Sequence, residues 1–154
     1  MQRDRFLVAE RRLHGAETDV ALADRNADDF SARAAFHAQQ AAEMAIKAII
    51  VAASDDHPMI HSSSELLREL ASLEIAVPHH VIAAASKLDI YYLAARYPDA
   101  VGDADPTLLV PPEDARRAIE RARLVLAFAR STIASFRDGR LIYTFDAGFG
   151  TVGS

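Results

Sequence analysis

Three groups of side chains in this 154-residue chain have the types and spacing to do chemistry. The first lies in the run Ala35 to Ala48. At 100° per residue, Phe36, Gln40, Glu43 and Lys47 share one helical stripe beside an apolar arc of Ala42, Ile46 and Ile49. An amide, a carboxylate and an ammonium bordering a core could hold a polar ligand. Glu43 and Lys47 are equally an i,i+4 ion pair in the favourable order, which on a helix surface contributes about 0.3 kcal/mol. In the second group, Asp89, Tyr92 and Arg96 are spaced three and four apart near Leu88. A guanidinium suits planar, bidentate capture of phosphate, and Tyr97 and Pro98 place Arg96 at a helix terminus. The competing reading is an Asp89–Arg96 clamp with Tyr92 at the core margin.

The third group is the histidines. None of the six has the paired helical spacing with an acidic partner that a zinc hydrolase needs. His57 and His61, with Asp55 and Asp56 nearby, permit a weak metal site, but no metal is expected. His61 is better placed to meet another helix or a phosphate. No phosphate-cradling glycine loop and no strand–turn–helix nucleophile is present, and the serine run 62–64 reads as capping. No catalytic residue is assigned. The ligand- or phosphate-binding candidates are Gln40, Glu43, Lys47, His61, Asp89, Tyr92, Arg96 and Tyr97.

The elements that must position these groups are helices. Alanine, leucine and isoleucine recur at three- and four-residue intervals, and β-branched alternation is scarce. Five helices are predicted. The first runs from about Arg3 to Arg25. Asn26 reads as the N-cap of the second, which places Asp28 and Asp29 in its first turn and runs to about Ala53. Residues 54–61 form a polar loop. Ser62 and Glu65 make a capping-box pattern ahead of a short helix carrying Leu66, Leu67, Leu70 and Leu73. Pro78 starts the fourth helix, which ends near Arg96 before Pro98. A loop over residues 99–111 leads to the fifth, from about Pro112 to Phe136, closed by Asp138 and Gly139.

Short connections between long helices favour an all-α, up-and-down bundle over residues 1–140. The remaining tail, 141–154, opens with strand-like Leu141, Ile142, Tyr143 and Phe145 and then turns glycine-rich; a short strand, a partner-binding arm and disorder all fit it.

The chain carries a formal charge of −5, which argues against coating nucleic acid by bulk electrostatics. Seven arginines against four acids give the segment from Pro111 to Arg140 a local +3, so the remainder carries −8. Within that segment Arg116, Arg123, Arg130 and Arg137 recur every seven residues. They read as an anion-binding ridge or, more commonly, as arginines laying their stems on apolar surface with their heads in water. Absence of cysteine excludes disulfides, thiolate metal sites and cysteine nucleophiles, and fits a reducing cytoplasm. No stretch reads as a signal peptide or a membrane span.

The run Ala35-Phe36-His37-Ala38-Gln39-Gln40-Ala41-Ala42-Glu43-Met44-Ala45-Ile46-Lys47-Ala48 resembles the second-helix signature of the HEPN family. His61 ahead of a leucine-rich helix, then Tyr92, Arg96-Tyr97-Pro98-Asp99 and Glu113-Asp114-Ala115 follow in the family's order, so the resemblance covers roughly residues 3–137. It implies a four- or five-helix bundle, usually homodimeric, often paired with a minimal nucleotidyltransferase and sometimes the toxin of a toxin–antitoxin pair. Many members are RNases that use an arginine followed, after four to six residues, by a histidine. Here no histidine follows Arg96 at that spacing, and Arg33 and His37 are separated by only three residues. The expectation is therefore a nucleotide- or nucleic-acid-binding module without a cofactor, with a nucleotide such as ATP as a candidate ligand. The alternatives are an RNase assembled across a dimer and a non-catalytic helical interaction domain.

Overall fold

A computed structural model describes residues 4–96 and 110–139, with residues 93–96 described by backbone alone. Within them the chain forms five helices: α1 (Arg5–Asn26), α2 (Ser31–Ser54), α3 (Ser63–Ser72), α4 (His79–Arg96) and α5 (Pro112–Arg137). No strand occurs among the described residues. The predicted tail at 141–154 and most of the predicted loop at 99–111 lie outside them.

α2 is the axis of the bundle and packs against all four other helices. Its sequence explains why. Ala34, Ala35, Ala38, Ala41, Ala42, Ala45, Ala48 and Ala52 are fully buried, as are Ile46, Ile49 and Ile50. Alanine combines the highest helix propensity with the smallest side chain, so neighbouring helices approach from several directions. α1 meets it along Ala9, Leu13, Ala16, Val20 and Ala23, and Gly15 lies so near Met44 that a Cβ there would stand 3.1 Å from the thioether. α3 contributes Leu66 and Leu70, α4 Val81, Ala85 and Leu88, and α5 Ile119, Val125 and Ile133 to the same core.

Two expectations are corrected. Asn26 does not cap α2: it is the last residue of α1, its amide donates to the Leu22 carbonyl at 2.7 Å, and the Phe30 amide reaches back to its carbonyl at 2.8 Å. The chain therefore makes one further turn before α2 starts at Ser31, and Asp28 and Asp29 lie in that turn. The heptad arginines of α5 form no free anion ridge: their half-exposed heads are paired with acids. Arg137, Arg130, Arg123 and Arg116 pair with Glu10, Glu17, Asp24 and Asp28 respectively, and the first of these contacts is 2.9 Å. The acids also recur every seven residues over 10, 17 and 24, so two antiparallel heptad rows meet as a three-rung ladder between α1 and α5, and Arg116 adds a fourth pair to Asp28 in the turn after α1. The pairs are about half exposed or more, and such pairs contribute about 0–1 kcal/mol apiece. Their joint effect is to define which turn of α5 lies beside which turn of α1.

α3 is bounded at both ends by specific caps. Ser62 accepts from the Glu65 amide at 3.3 Å, as its capping pattern predicts. At the other end the Ile75 amide bonds to the Leu70 carbonyl and the Glu74 amide to that of Ala71, both at 3.0 Å, while buried Leu70 and Ile75 supply the accompanying apolar contact. This Schellman arrangement requires a left-handed residue, and Glu74 provides it at φ 62°. Glycine adopts that conformation without the Cβ penalty. Glu74→Gly is accordingly expected to raise stability by about 1 kcal/mol in urea unfolding, with no change in the cooperativity of the transition.

Candidate functional site

Glu43, at the middle of α2, is the centre of a polar cluster inside the bundle. Its residue exposure is 4% and that of Lys47, one turn on, is 8%. The Lys47 ammonium donates to Glu43 Oε1 at 2.7 Å, and His61 Nδ1 lies 3.1 Å from the same oxygen. An ionised carboxylate can only accept, so in this pairing Nδ1 carries the proton and Nε2 is left as the ring's other polar atom. The second oxygen, Oε2, accepts from the side-chain amides of Gln39 at 3.3 Å and Gln40 at 3.4 Å. Gln40 also donates to Gln39 Oε1 at 2.6 Å, and Gln39 donates to the His61 carbonyl at 3.4 Å.

The Glu43–Lys47 pair is thus internal and not the surface pair that its spacing alone suggests. The reason is that α2 is covered on nearly every side, so a polar residue in its middle turns has water on little of its surface. Gln39, fully buried, was not among the sequence candidates. The available signal was its position one turn before Glu43 in a helix whose other faces are alanine and isoleucine.

The cluster reaches the surface at His61, whose side chain is 45% exposed. The Tyr92 ring stacks on the imidazole with centroids 5.3 Å apart and planes 11° from parallel. α4 and the loop ahead of α3 therefore meet over α2, bringing Gln40, Glu43, Lys47, His61 and Tyr92 together.

Asp89 is placed differently. Its Oδ1 accepts from the Ser63 amide at 2.8 Å, and its Oδ2 accepts from the Ser64 amide at 3.2 Å, the Ser64 hydroxyl at 2.9 Å and the Ser62 hydroxyl at 3.2 Å. The carboxylate of α4 is thereby seated on the N-terminus of α3, where the helix dipole favours negative charge. The expected Asp89–Arg96 clamp involves a side chain outside the described residues; what is described of this carboxylate is its seat on α3. Beside it, the Ser63 hydroxyl is buried with no hydrogen-bond partner. Arg96 is the last residue of α4; its side chain and Tyr97 lie outside the described residues.

A second imidazole–carboxylate contact lies between α1 and α2, where His37 Nδ1 is 3.2 Å from Asp19 Oδ1. Burial pushes the Asp19 carboxyl above the usual range, against the opposing pull of His37. On α4, burial and the nearby Asp114 charge raise the Tyr91 phenol, with Arg121 acting the other way. His57 contacts Arg12 at 3.1 Å and lies 3.9 Å from Asp55. No group of three or more histidine, aspartate or glutamate side chains able to hold a metal ion occurs among the described residues. No described helix is long and apolar enough to cross a membrane.

The chain matches the family model for the HEPN domain over residues 9–132. Two solved structures are similar to it. TT1696 from Thermus thermophilus superposes with a TM-score of 0.73 at 32% identity, covering 80% of this chain and 97% of that one. ST0689, described as an archaeal HEPN homologue, superposes with a TM-score of 0.66 at 27% identity, covering 86% and 99% respectively. No match was found among the curated proteins. The matched region contains α2 with its buried Gln39–Glu43–Lys47 row, His61 and all of α4, and so the chain belongs to the HEPN domain family.

Proposed function

We propose that this HEPN-domain protein is a nucleotide- or nucleic-acid-binding module and the partner of a minimal nucleotidyltransferase in a toxin–antitoxin-like system. The observation that carries the binding site is the buried Glu43–Lys47–Gln39–Gln40 cluster opening at the stacked His61–Tyr92 pair. Buried ion pairs are poor stabilisers compared with apolar side chains of the same size, so their presence in a core of alanine and isoleucine calls for another use. A half-exposed aromatic stack supplies a platform on which a nucleobase can lie. His61 Nε2 is the polar atom next to that platform, and Arg96 at the end of the same helix as Tyr92 is the candidate for phosphate. A homodimer is part of the reading: Ile90 on α4, next to Asp89 in sequence and two residues before Tyr92, is 65% exposed, where a second copy would cover it.

The second reading is a helical interaction domain. It is favoured by the completeness of the hydrogen bonding around Glu43 and Asp89, which a purely structural role would also produce. Thermal unfolding with ATP and with single-stranded RNA, on wild type and His61→Ala, separates the two. Binding at a ligand concentration of about one hundred times Kd stabilises the native state by about 2.7 kcal/mol, and the substitution should abolish that increment. Absence of a shift with either ligand, together with an altered oligomeric state in the variant, would favour the interaction domain. Cleavage of the RNA by wild type would replace the binding reading with an RNase.

A further inference from the structure

The end of α3 and the start of α4 leave a groove of about 480 Å³ between them. Of its lining residues Leu67 and Ile75 are buried, Val77 is half-buried, and Ala71, Ala76 and Ile82 are exposed. The opening has a local cause: two alanines stand where larger side chains would close over Leu67 and Ile75, so apolar surface is left within reach of water. Glu74 is the acidic residue of the lining. We propose that this groove docks a short amphipathic segment of another protein, one that carries apolar side chains a helical turn apart with a lysine or arginine beside them.

The basic residue follows from Glu74. Its carboxylate makes no hydrogen bond or ion pair among the described residues, whereas Glu10, Glu17 and Asp24 are each matched by an arginine. It also stands at φ 62°, in the left-handed cap position where glycine is the less strained residue. An unmatched charge bordering apolar surface, held at a backbone position that costs stability with any side chain but glycine's hydrogen, is completed by a cation that arrives with a partner.

The size of the groove favours a segment over a second folded copy. Seven residues line it, against the roughly 20–30 a side of a standard interface. Its volume falls in the range of about 300–1,000 Å³ that holds compact ligands. A helix laid in a groove engages it through anchors at i, i+3 or i+4, and the two helix ends supply the walls. The groove lies one length of α3, about 15 Å, from His61, so docking there draws on none of the polar cluster around Glu43 and stands apart from the nucleotide reading.

The test uses the full chain. A displayed library of short random peptides would be panned on wild type, with the binders that Ile82→Asp also retains removed. Ile82→Asp and Glu74→Gln should first be shown to melt with wild type. The expected result is a set of enriched peptides with paired apolar residues and an adjacent lysine or arginine. Synthesised and titrated, they should lose at least about tenfold in affinity for Ile82→Asp, which sets a charge against their apolar anchors. Glu74→Gln leaves the backbone demand unchanged and should weaken them by about two- to fivefold. The Glu74→Lys variant should prefer the same peptide with its basic residue exchanged for glutamate. Failure to enrich any peptide overturns the proposal, as do enriched peptides that lack a basic residue or bind Glu74→Gln as tightly as wild type. A changed oligomeric state of Ile82→Asp in sedimentation overturns it as well, since the groove would then belong to a contact between copies of this chain.

Discussion

Glu43→Ala is expected to lower the stability of the protein by about 3–5 kcal/mol, because it leaves the buried Lys47 ammonium without its counter-charge. The same change removes the acceptor for His61 and for two glutamine amides at once. Against a typical domain stability of about 5–15 kcal/mol, the variant should unfold at a much lower urea concentration. Glu43→Gln keeps the shape and one acceptor and should lie between the two. The informative companion is the double variant Glu43→Leu with Lys47→Met, which removes both charges together. Replacing a whole buried pair by apolar groups is often neutral or stabilising, so this protein should recover most of the loss, falling short of wild type by about 1–3 kcal/mol for the Gln39, Gln40 and His61 groups left without their Glu43 acceptor. If the pair exists for ligand binding, the recovered fold will no longer respond to ATP or RNA. A loss below about 1 kcal/mol for Glu43→Ala would mean instead that Lys47 swings out to solvent, and that the 8% exposure of this residue understates its freedom.

The parts of the molecule that were legible in its sequence are those governed by local rules. The Ser62 cap, the proline start of α5 and the termination at Asp138 and Gly139 depend on residues within one turn of each other, and they stand as expected. The HEPN resemblance, carried by the α2 run, the Arg96-Tyr97-Pro98-Asp99 motif and the features between and after them, agrees with the family match. What was not legible depends on which surfaces face each other. Asn26 has the right chemistry for an N-cap, but its amide finds a carbonyl in its own helix first. The arginine row of α5 was visible, and so were Glu10, Glu17 and Asp24. That they face one another follows from the antiparallel packing of α1 on α5, which no single-helix periodicity contains. Glu43 and Lys47 were placed at the border of the core because one stripe of α2 is polar. Their burial comes from α3, α4 and the loop carrying His61 closing over that stripe. Gln39 was missed for the same reason, since an amide becomes informative only once its surroundings are known to be dry.

Asp89→Ala should produce the second large effect, and its location should distinguish it from the first. The substitution strips four donors at the start of α3: the amides of Ser63 and Ser64 and the hydroxyls of Ser62 and Ser64. It also removes the negative charge that complements the α3 dipole. A lost cap and newly unpaired amides each cost about 1–2 kcal/mol, so a total of about 2–3 kcal/mol is expected. The damage should be local first. α3 has only ten residues and depends on its termini, so its amides should exchange much faster while those of α2 and α5 keep most of their protection. Asp89→Asn should be only partly rescuing, because one of its two side-chain positions then presents N–H groups to other donors. The functional consequence follows from geometry: His61 immediately precedes the Ser62 cap, so loosening α3 shifts the imidazole relative to Glu43 and Tyr92. Ligand response should therefore weaken in Asp89→Ala although Asp89 itself is occupied by α3. A double-mutant cycle with His61→Ala tests this, since the two effects on binding should be strongly non-additive if Asp89 acts by positioning His61. Additive losses would instead mean that Asp89 meets the ligand by its own contact.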